Sequence, residues 1–159
     1  MKKIIPILLI ILITSMACTK LEKMLTPAEQ LAEDIAQIEE FLLLNKLVAQ
    51  STPSGLYYII KNEGVGTSHP ALQDSVTLKY KGFYISDGTI FDQTPENDSV
   101  TFKLNELILG WQEGIQLFKK ESSGMLFLPS KLAYGPYPPM GVRPNAVMVF
   151  EIEVLNFSH

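Results

Sequence analysis

The stretch Val76-Thr77-Leu78-Lys79-Tyr80-Lys81 decides how this chain folds. Apolar Val76, Leu78 and Tyr80 alternate with polar Thr77, Lys79 and Lys81, and side chains two apart share one face of a strand. The segment therefore reads as a half-buried strand with a core on one side. Working outward, Val100, Phe102 and Leu104 alternate with Thr101 and Lys103 in the same way. The run from Ala146 to Leu155 sets Met148, Phe150, Ile152 and Val154 on one side and Glu151 and Glu153 on the other. Leu56 to Lys61 and Met125 to Leu128 complete the strand set. Between Gly110 and Glu121 the period becomes helical, with Trp111, Ile115 and Phe118 on one face. These elements predict an α+β domain in which one short helix covers one face of an antiparallel sheet.

Upstream, Ser51-Thr52-Pro53-Ser54-Gly55 is turn chemistry and marks off a domain over residues 51–159 from a helical segment over residues 26–50. Thr26-Pro27-Ala28-Glu29 supplies a capping hydroxyl, a proline at the first helical position and a glutamate three residues after the cap. A helix is expected from Pro27 to about Val48. Leu31, Ile35, Ile38 and Leu42 recur as one apolar stripe, with Glu33, Asp34, Glu39 and Glu40 mostly off it. The stripe either packs on the domain's own surface or forms the seam of a homodimer through residues 26–50. Leu43 and Leu44 widen its apolar face.

The first residues read as an export signal over residues 1–17: Lys2 and Lys3 are basic, Ile4 to Ile13 is apolar, and small Ser15 and Ala17 precede Cys18. The apolar run is short of the roughly 20 residues a spanning helix needs. Cys18 is the only cysteine, so no disulfide framework is expected. The arrangement resembles a bacterial lipobox, with Ser15 where leucine is usual. The resemblance implies a lipidated Cys18 that anchors the chain to a membrane, with residues 18–25 as a tether; plain secretion is the alternative. Thr19 in place of aspartate points to the outer rather than the inner membrane.

Composition narrows the chemistry. With 47% apolar and 19% charged residues in 159, the chain is long enough for one core. A net charge of −4 supplies no basic field for phosphate backbones, so no nucleic-acid partner is expected. Two histidines and one cysteine leave no metal cluster to propose, and neither a phosphate-cradling glycine loop nor a nucleophile elbow is present. No cofactor is expected.

What remains is a set of aromatic residues directed to the core or its edge: Tyr80, Trp111 and Phe150, with Phe91-Asp92 and Tyr134 near strand or loop ends. Each alone is more often core than site. Together they lie within ordered motifs: Lys79-Tyr80-Lys81-Gly82, Asp87-Gly88-Thr89-Ile90-Phe91-Asp92, Leu109-Gly110-Trp111-Gln112-Glu113-Gly114, Leu132-Ala133-Tyr134-Gly135 and Pro144-Asn145-Ala146-Val147-Met148-Val149-Phe150-Glu151. In this order they resemble the FK506-binding (FKBP) type of peptidyl-prolyl cis/trans isomerase over about residues 55–157.

The resemblance implies a curved antiparallel sheet wrapped around the short helix. It implies an apolar pocket floored by Trp111 and walled by Tyr80, Phe91 and Phe150, with Leu107, Ile108 and Val142 at further lining positions. Asp92 and Tyr134 match the polar groups at its rim, where Asp92 either acts on the peptide carbonyl or orients Tyr80. The implied partners are proline-containing segments of exported proteins and FK506-like ligands. A non-catalytic module that holds proline segments, as a chaperone or assembly tether, is the alternative. Two positions depart from the family pattern: Gln93 to Ser99 lacks a basic residue, and Val100 stands where an aromatic wall is common.

Overall fold

The computed structural model describes residues 25–158 of the chain. The expected export signal, tether and Cys18 lie outside them. A helix α1 (Pro27–Leu44) leads into strands β1 (Gln50–Ser51), β2 (Tyr57–Asn62), β3 (Ser75–Tyr84), β4 (Ile90–Gln93) and β5 (Val100–Lys103). A single 3-10 turn precedes the short helix α2 (Leu109–Gly114), and strands β6 (Ser122–Leu128) and β7 (Met148–Ser158) close the chain. All pairings are antiparallel, in the order β1-β2-β6-β7-β3-β4, with β5 beside the first half of β3. Because β3 exchanges its edge partner from β5 to β4 partway along, the sheet can curve around α2.

Strand alternation divides β6 and β7 between two cores. Leu126, Leu128, Met148, Phe150, Ile152 and Val154 face the cluster that holds Trp111, Ile115 and Phe118. Met125, Phe127, Val147 and Val149 face a second cluster on the opposite side with Ile38 and Leu42 of α1. Polar alternation begins only partway along β7, at Glu151 and Glu153. Its first residues are apolar on both faces because both faces are covered.

The stripe of α1 is therefore a packing face on this domain's own sheet. Ile38 is fully buried and Leu42 nearly so, whereas Leu43 and Leu44 point to solvent. Thr26 and Glu29 form the anticipated capping box, each side chain accepting from the other's backbone N–H at 3.2 and 2.8 Å. The helix stops four residues before Val48. Lys46 adopts a left-handed conformation (φ 55°), and the Leu47 and Lys46 N–H groups return to the carbonyls of Leu42 and Leu43. That pattern ends helices through glycine far more often than through lysine, and the local stop signal is Asn45, the C-cap, whose side-chain amide donates to the Phe41 carbonyl at 2.8 Å. Asp34 also departs from its expected place off the stripe: it is completely buried.

The second helix is shorter than its helical period. After Gly114 the chain tightens into a 3-10 turn over Ile115–Leu117, and Phe118 is already extended. Ser122 holds the following turn, its hydroxyl donating to the Lys119 carbonyl and accepting the Lys119 N–H at 2.6 and 3.0 Å. No helix among the described residues is long and apolar enough to cross a membrane.

If α1 belongs to the folded unit, Ile38→Ala will lower unfolding free energy by about 2–5 kcal/mol in urea titration, while exposed Leu44→Ala changes it by under about 0.5 kcal/mol. Equal, near-zero effects would show instead that the helix is detachable.

Candidate functional site

On the α2 side of the sheet lies a cavity of about 210 Å³, lined by Tyr80, Phe91, Asp92, Phe102, Leu107, Ile108, Trp111, Tyr134 and Phe150. Its floor is the Trp111 indole. Tyr80 and Phe150 each meet that ring edge-on with centroids 5.1 Å away, and Phe102 stands at 6.2 Å. Phe91 meets Phe150 edge-on at 5.5 Å. These are favourable aromatic geometries that fix the rings without filling the space between them.

Each element has a local reason for its part. Gln112 of α2 reaches back to donate to the Leu107 carbonyl at 2.7 Å, which ties the helix to the turn bearing Leu107 and Ile108. Neighbours in a strand normally face opposite ways, yet Phe91 and Asp92 both line the cavity. The β3–β4 register shifts here, from Gly82 opposite Asp92 to Phe83 opposite Ile90. This irregularity re-aims the pair. Gly82 is needed for the same purpose, because a Cβ there would lie 2.7 Å from the Phe91 ring and 2.9 Å from the Phe150 ring.

The rim carries the polar groups. The Tyr80 hydroxyl donates to Asp92 Oδ2 at 2.6 Å. Burial, and then this hydrogen bond and the Asp92 charge, push the Tyr80 pKa far above the ordinary tyrosine value. Tyr134, 39% exposed, is also shifted upward by burial and by the Asp92 charge. Both are held as neutral phenols, able to donate. Outside the rim, Arg143 forms an ion pair with Asp87 at 2.9 Å and lies 4.2 Å above the Tyr84 ring. The hydrogen bond to Arg143, followed by the Thr89 N–H, lowers the Asp87 pKa to about 2. Arg143 thus fastens the loop before β7 to the turn between β3 and β4.

Every residue named from the sequence lines this cavity except Val142, which packs on the edge of the core. Val142 sits in the loop that Arg143 fastens and does not reach the Trp111 floor. Phe102 was not anticipated as a wall, though its alternation in β5 already directed it inward. It supplies the aromatic face on the side where Val100 suggested an opening. Among the described residues, no three His, Cys, Asp or Glu side chains gather into a metal site. A larger cavity, about 250 Å³, lies on the other side of the Tyr134 segment between the start of α1 and residues such as Gly135 and Tyr137. It holds none of the aromatic floor or walls.

Residues 66–155 match the family described as FKBP-type peptidyl-prolyl cis-trans isomerase. The chain belongs to that family. It is 42% identical over 120 residues to the FKBP-type peptidyl-prolyl cis-trans isomerase FkpA of Aeromonas hydrophila, covering 74% of this chain and 44% of that one. It is 38% identical over 128 residues to the outer membrane protein MIP of Legionella longbeachae, covering 78% and 54%. The crystal structure of FkpA from Escherichia coli superposes with a TM-score of 0.70 at 31% identity, over 81% of this chain and 63% of that one. The chain therefore spans about half the length of the curated relatives it matches. The FKBP-type fold expected from the motifs, a curved antiparallel sheet around a short helix with an added N-terminal helix, is the one found.

Gly82→Ala tests the wall geometry directly. Overpacking against Phe91 and Phe150 should lower stability by about 1–3 kcal/mol. Because Trp111 is the only tryptophan, its emission should shift as Phe150 moves. An unchanged spectrum in the folded variant would contradict the tight approach at Gly82.

Proposed function

We propose that this chain catalyses cis/trans isomerisation of X-Pro bonds in exported proteins as they fold at the cell envelope. The observation that carries the reading is the cavity above Trp111, walled by aromatic rings and rimmed by the Tyr80–Asp92 pair and Tyr134, in a member of the FKBP-type family. Rotation about a peptide C–N bond faces a barrier of about 18–20 kcal/mol because twisting breaks amide resonance. The planar amide is the more charge-separated form and draws more stabilisation from water than the twisted one. An aromatic cavity withdraws that water, which favours the twisted amide relative to the planar ground state.

Proline is the suitable substrate because its cis and trans forms differ by only about 0.5–1 kcal/mol. Its ring rests on the indole, and the Tyr134 hydroxyl donates to a flanking carbonyl. Asp92 orients Tyr80 through their hydrogen bond, the role favoured over direct action on the carbonyl by the 2.6 Å contact. No nucleophile or proton transfer enters. FK506-like ligands occupy the same cavity in this reading.

The experiment is protease-coupled isomerisation of a proline tetrapeptide by the full chain. Wild type should exceed the uncatalysed rate clearly, and Asp92→Ala should lose about tenfold in kcat/KM, equivalent to ~1.4 kcal/mol. A wild-type rate equal to the uncatalysed one, with retained peptide binding seen in Trp111 fluorescence, would replace the enzyme with the proline-binding chaperone or assembly module. The pH profile is a second check. The raised pKa values of Tyr80 and Tyr134 keep both phenols neutral up to the ordinary 10.0 and above it. kcat/KM should therefore be flat between about pH 6 and 9, whereas a bell shape there would mean acid–base chemistry.

Anchoring through a lipidated Cys18 at the outer membrane belongs to the same proposal. It rests on the signal-like first residues and Thr19, and the MIP relative bears the name of an outer membrane protein. Two acyl chains hold a protein at a bilayer where one does not, at ~0.8 kcal/mol per buried methylene. Cys18→Ser should move the protein from the membrane fraction to the soluble fraction, and unchanged fractionation would remove the anchor from the proposal.

A further inference from the structure

We infer that Asp34 of α1 is a positioning residue for Tyr134, acting through Ser130; the inference rests on the isomerase reading of the Trp111 cavity. Asp34 is completely buried, and a carboxyl group is not taken out of water without partners that offset the loss of hydration. Its Oδ2 accepts both the Ser130 backbone N–H, at 2.8 Å, and the Ser130 hydroxyl, at 2.5 Å. Its Oδ1 accepts from Gln30 Nε2 at 2.8 Å. Both oxygens are thus engaged, and the Ser130 contacts join residues 96 apart in sequence.

Ser130 is the hub of the segment that carries Tyr134. While its N–H and hydroxyl are held by Asp34, its carbonyl accepts the N–H groups of Ala133 and Gly135, at 3.0 and 2.9 Å. Those are the two residues flanking Tyr134. Gly135, in a left-handed conformation (φ 61°), in turn gives its carbonyl to the Asn145 N–H at 2.8 Å. The backbone on both sides of Tyr134 is therefore referred to one serine, and that serine is referred to one carboxyl group on a helix.

The helix itself has an independent foundation. Ile38 and Leu42 bind α1 to the outer face of the sheet, away from the cavity. Leu31 and Ile35 come within 3.3 and 3.6 Å of where a Cβ on Gly55 would lie, and Pro129 approaches the same point at 3.6 Å. Asp34 is thus delivered to Ser130 by apolar packing that does not involve the substrate cavity. Removing its carboxyl leaves the helix seated but takes the acceptor from both Ser130 donors, beside the cavity that Asp34 and Ser130 both line, and so releases the turn that aims Tyr134. A misplacement of that kind at a donor to the carbonyl flanking the reacting amide reduces rate without altering the Trp111 floor.

The test is a double-mutant cycle on the full chain, with a spectroscopic readout that needs no turnover. Asp34→Ala should lower kcat/KM about tenfold when Tyr134 is present and have no further effect in a Tyr134→Phe background, because residues acting through one another are non-additive. In protein labelled with 3-fluorotyrosine, the fluorine resonance assigned to Tyr134 by its loss in Tyr134→Phe should shift or broaden in Asp34→Ala, with Trp111 emission unchanged. Ser130→Ala, which nearly preserves volume, carries the same cycle should Asp34→Ala not fold, and Asp34→Asn, which keeps an acceptor oxygen, should retain most of the rate. An equal loss in both backgrounds, or an unmoved Tyr134 resonance in a folded variant, would overturn the positioning role. A wild-type chain with no catalysis removes the isomerase reading alone, since the fluorine spectrum still reports whether Asp34 places Tyr134.

Discussion

The Trp111 indole stands between the rings of Tyr80 and Phe150, edge-on to both, and this contact joins the parts of the fold that matter for the site. Tyr80 comes from β3, Phe150 from β7 and Trp111 from α2. β3 and β7 are hydrogen-bonded along nearly their whole lengths, including Tyr80 opposite Ile152 and Gly82 opposite Phe150. The two wall residues are consequently fixed relative to one another before any side-chain packing is considered. The short helix has only to present one large ring to a surface already made. With this edge-on packing Trp111 is only 4% exposed, yet it still contributes to the lining of the cavity.

The opposite face of the sheet explains why the N-terminal helix is part of the same object. β6 and β7 are apolar on both sides, so the face away from the Trp111 core, if left to water, would expose Met125, Phe127, Val147 and Val149 together. An apolar patch of that size favours association or collapse onto another surface. α1 covers it with Ile38 and Leu42, and Phe41 adds ring contacts to Phe83 and Phe127 at 6.4 and 6.0 Å. The same covering brings Asp34 to the turn after β6. One packing event thus buries a surface and delivers a polar contact to the segment that bears Tyr134.

Much of this was legible in the sequence, for identifiable reasons. The alternation at Val76 to Lys81 and at Met148 to Val154 gives strands because a period of two is unambiguous when one face is polar. Thr26-Pro27-Ala28-Glu29 gives the helix start because a capping box is local chemistry. The end of α1 was only weakly legible, since Asn45 is a lesser stop signal than glycine and Lys46 occupies a left-handed position that glycine ordinarily advertises. The burial of Asp34 was not legible, because its partner Ser130 lies on the far side of the sequence and only tertiary packing brings the two together. At the site, motif order identified the cavity's floor and rim. Phe102 joins the lining without a motif to mark it, and Val142 packs on the core edge outside that lining, because the curvature of the sheet and the course of the loop before β7 decide which side chains reach the indole.

The charge state of the rim agrees with chemistry that moves no proton. Burial and the neighbouring Asp92 raise the pKa values of Tyr80 and Tyr134, which stabilises their protonated forms in the folded protein. A group raised in this way contributes stability that is complete below its unfolded value and is lost as pH rises through the folded one. The dependence therefore falls on the alkaline side, beyond the ordinary tyrosine value of 10.0. A general base poised near neutrality would require the reverse arrangement, with a pKa drawn toward the working pH. These phenols are instead held as permanent donors. In the proposed isomerisation, an amide that needs only to lose planarity would be served by donors that stay neutral beside a surface that excludes water, and the aromatic floor, the Tyr80–Asp92 contact and the seated Tyr134 segment would supply those conditions together.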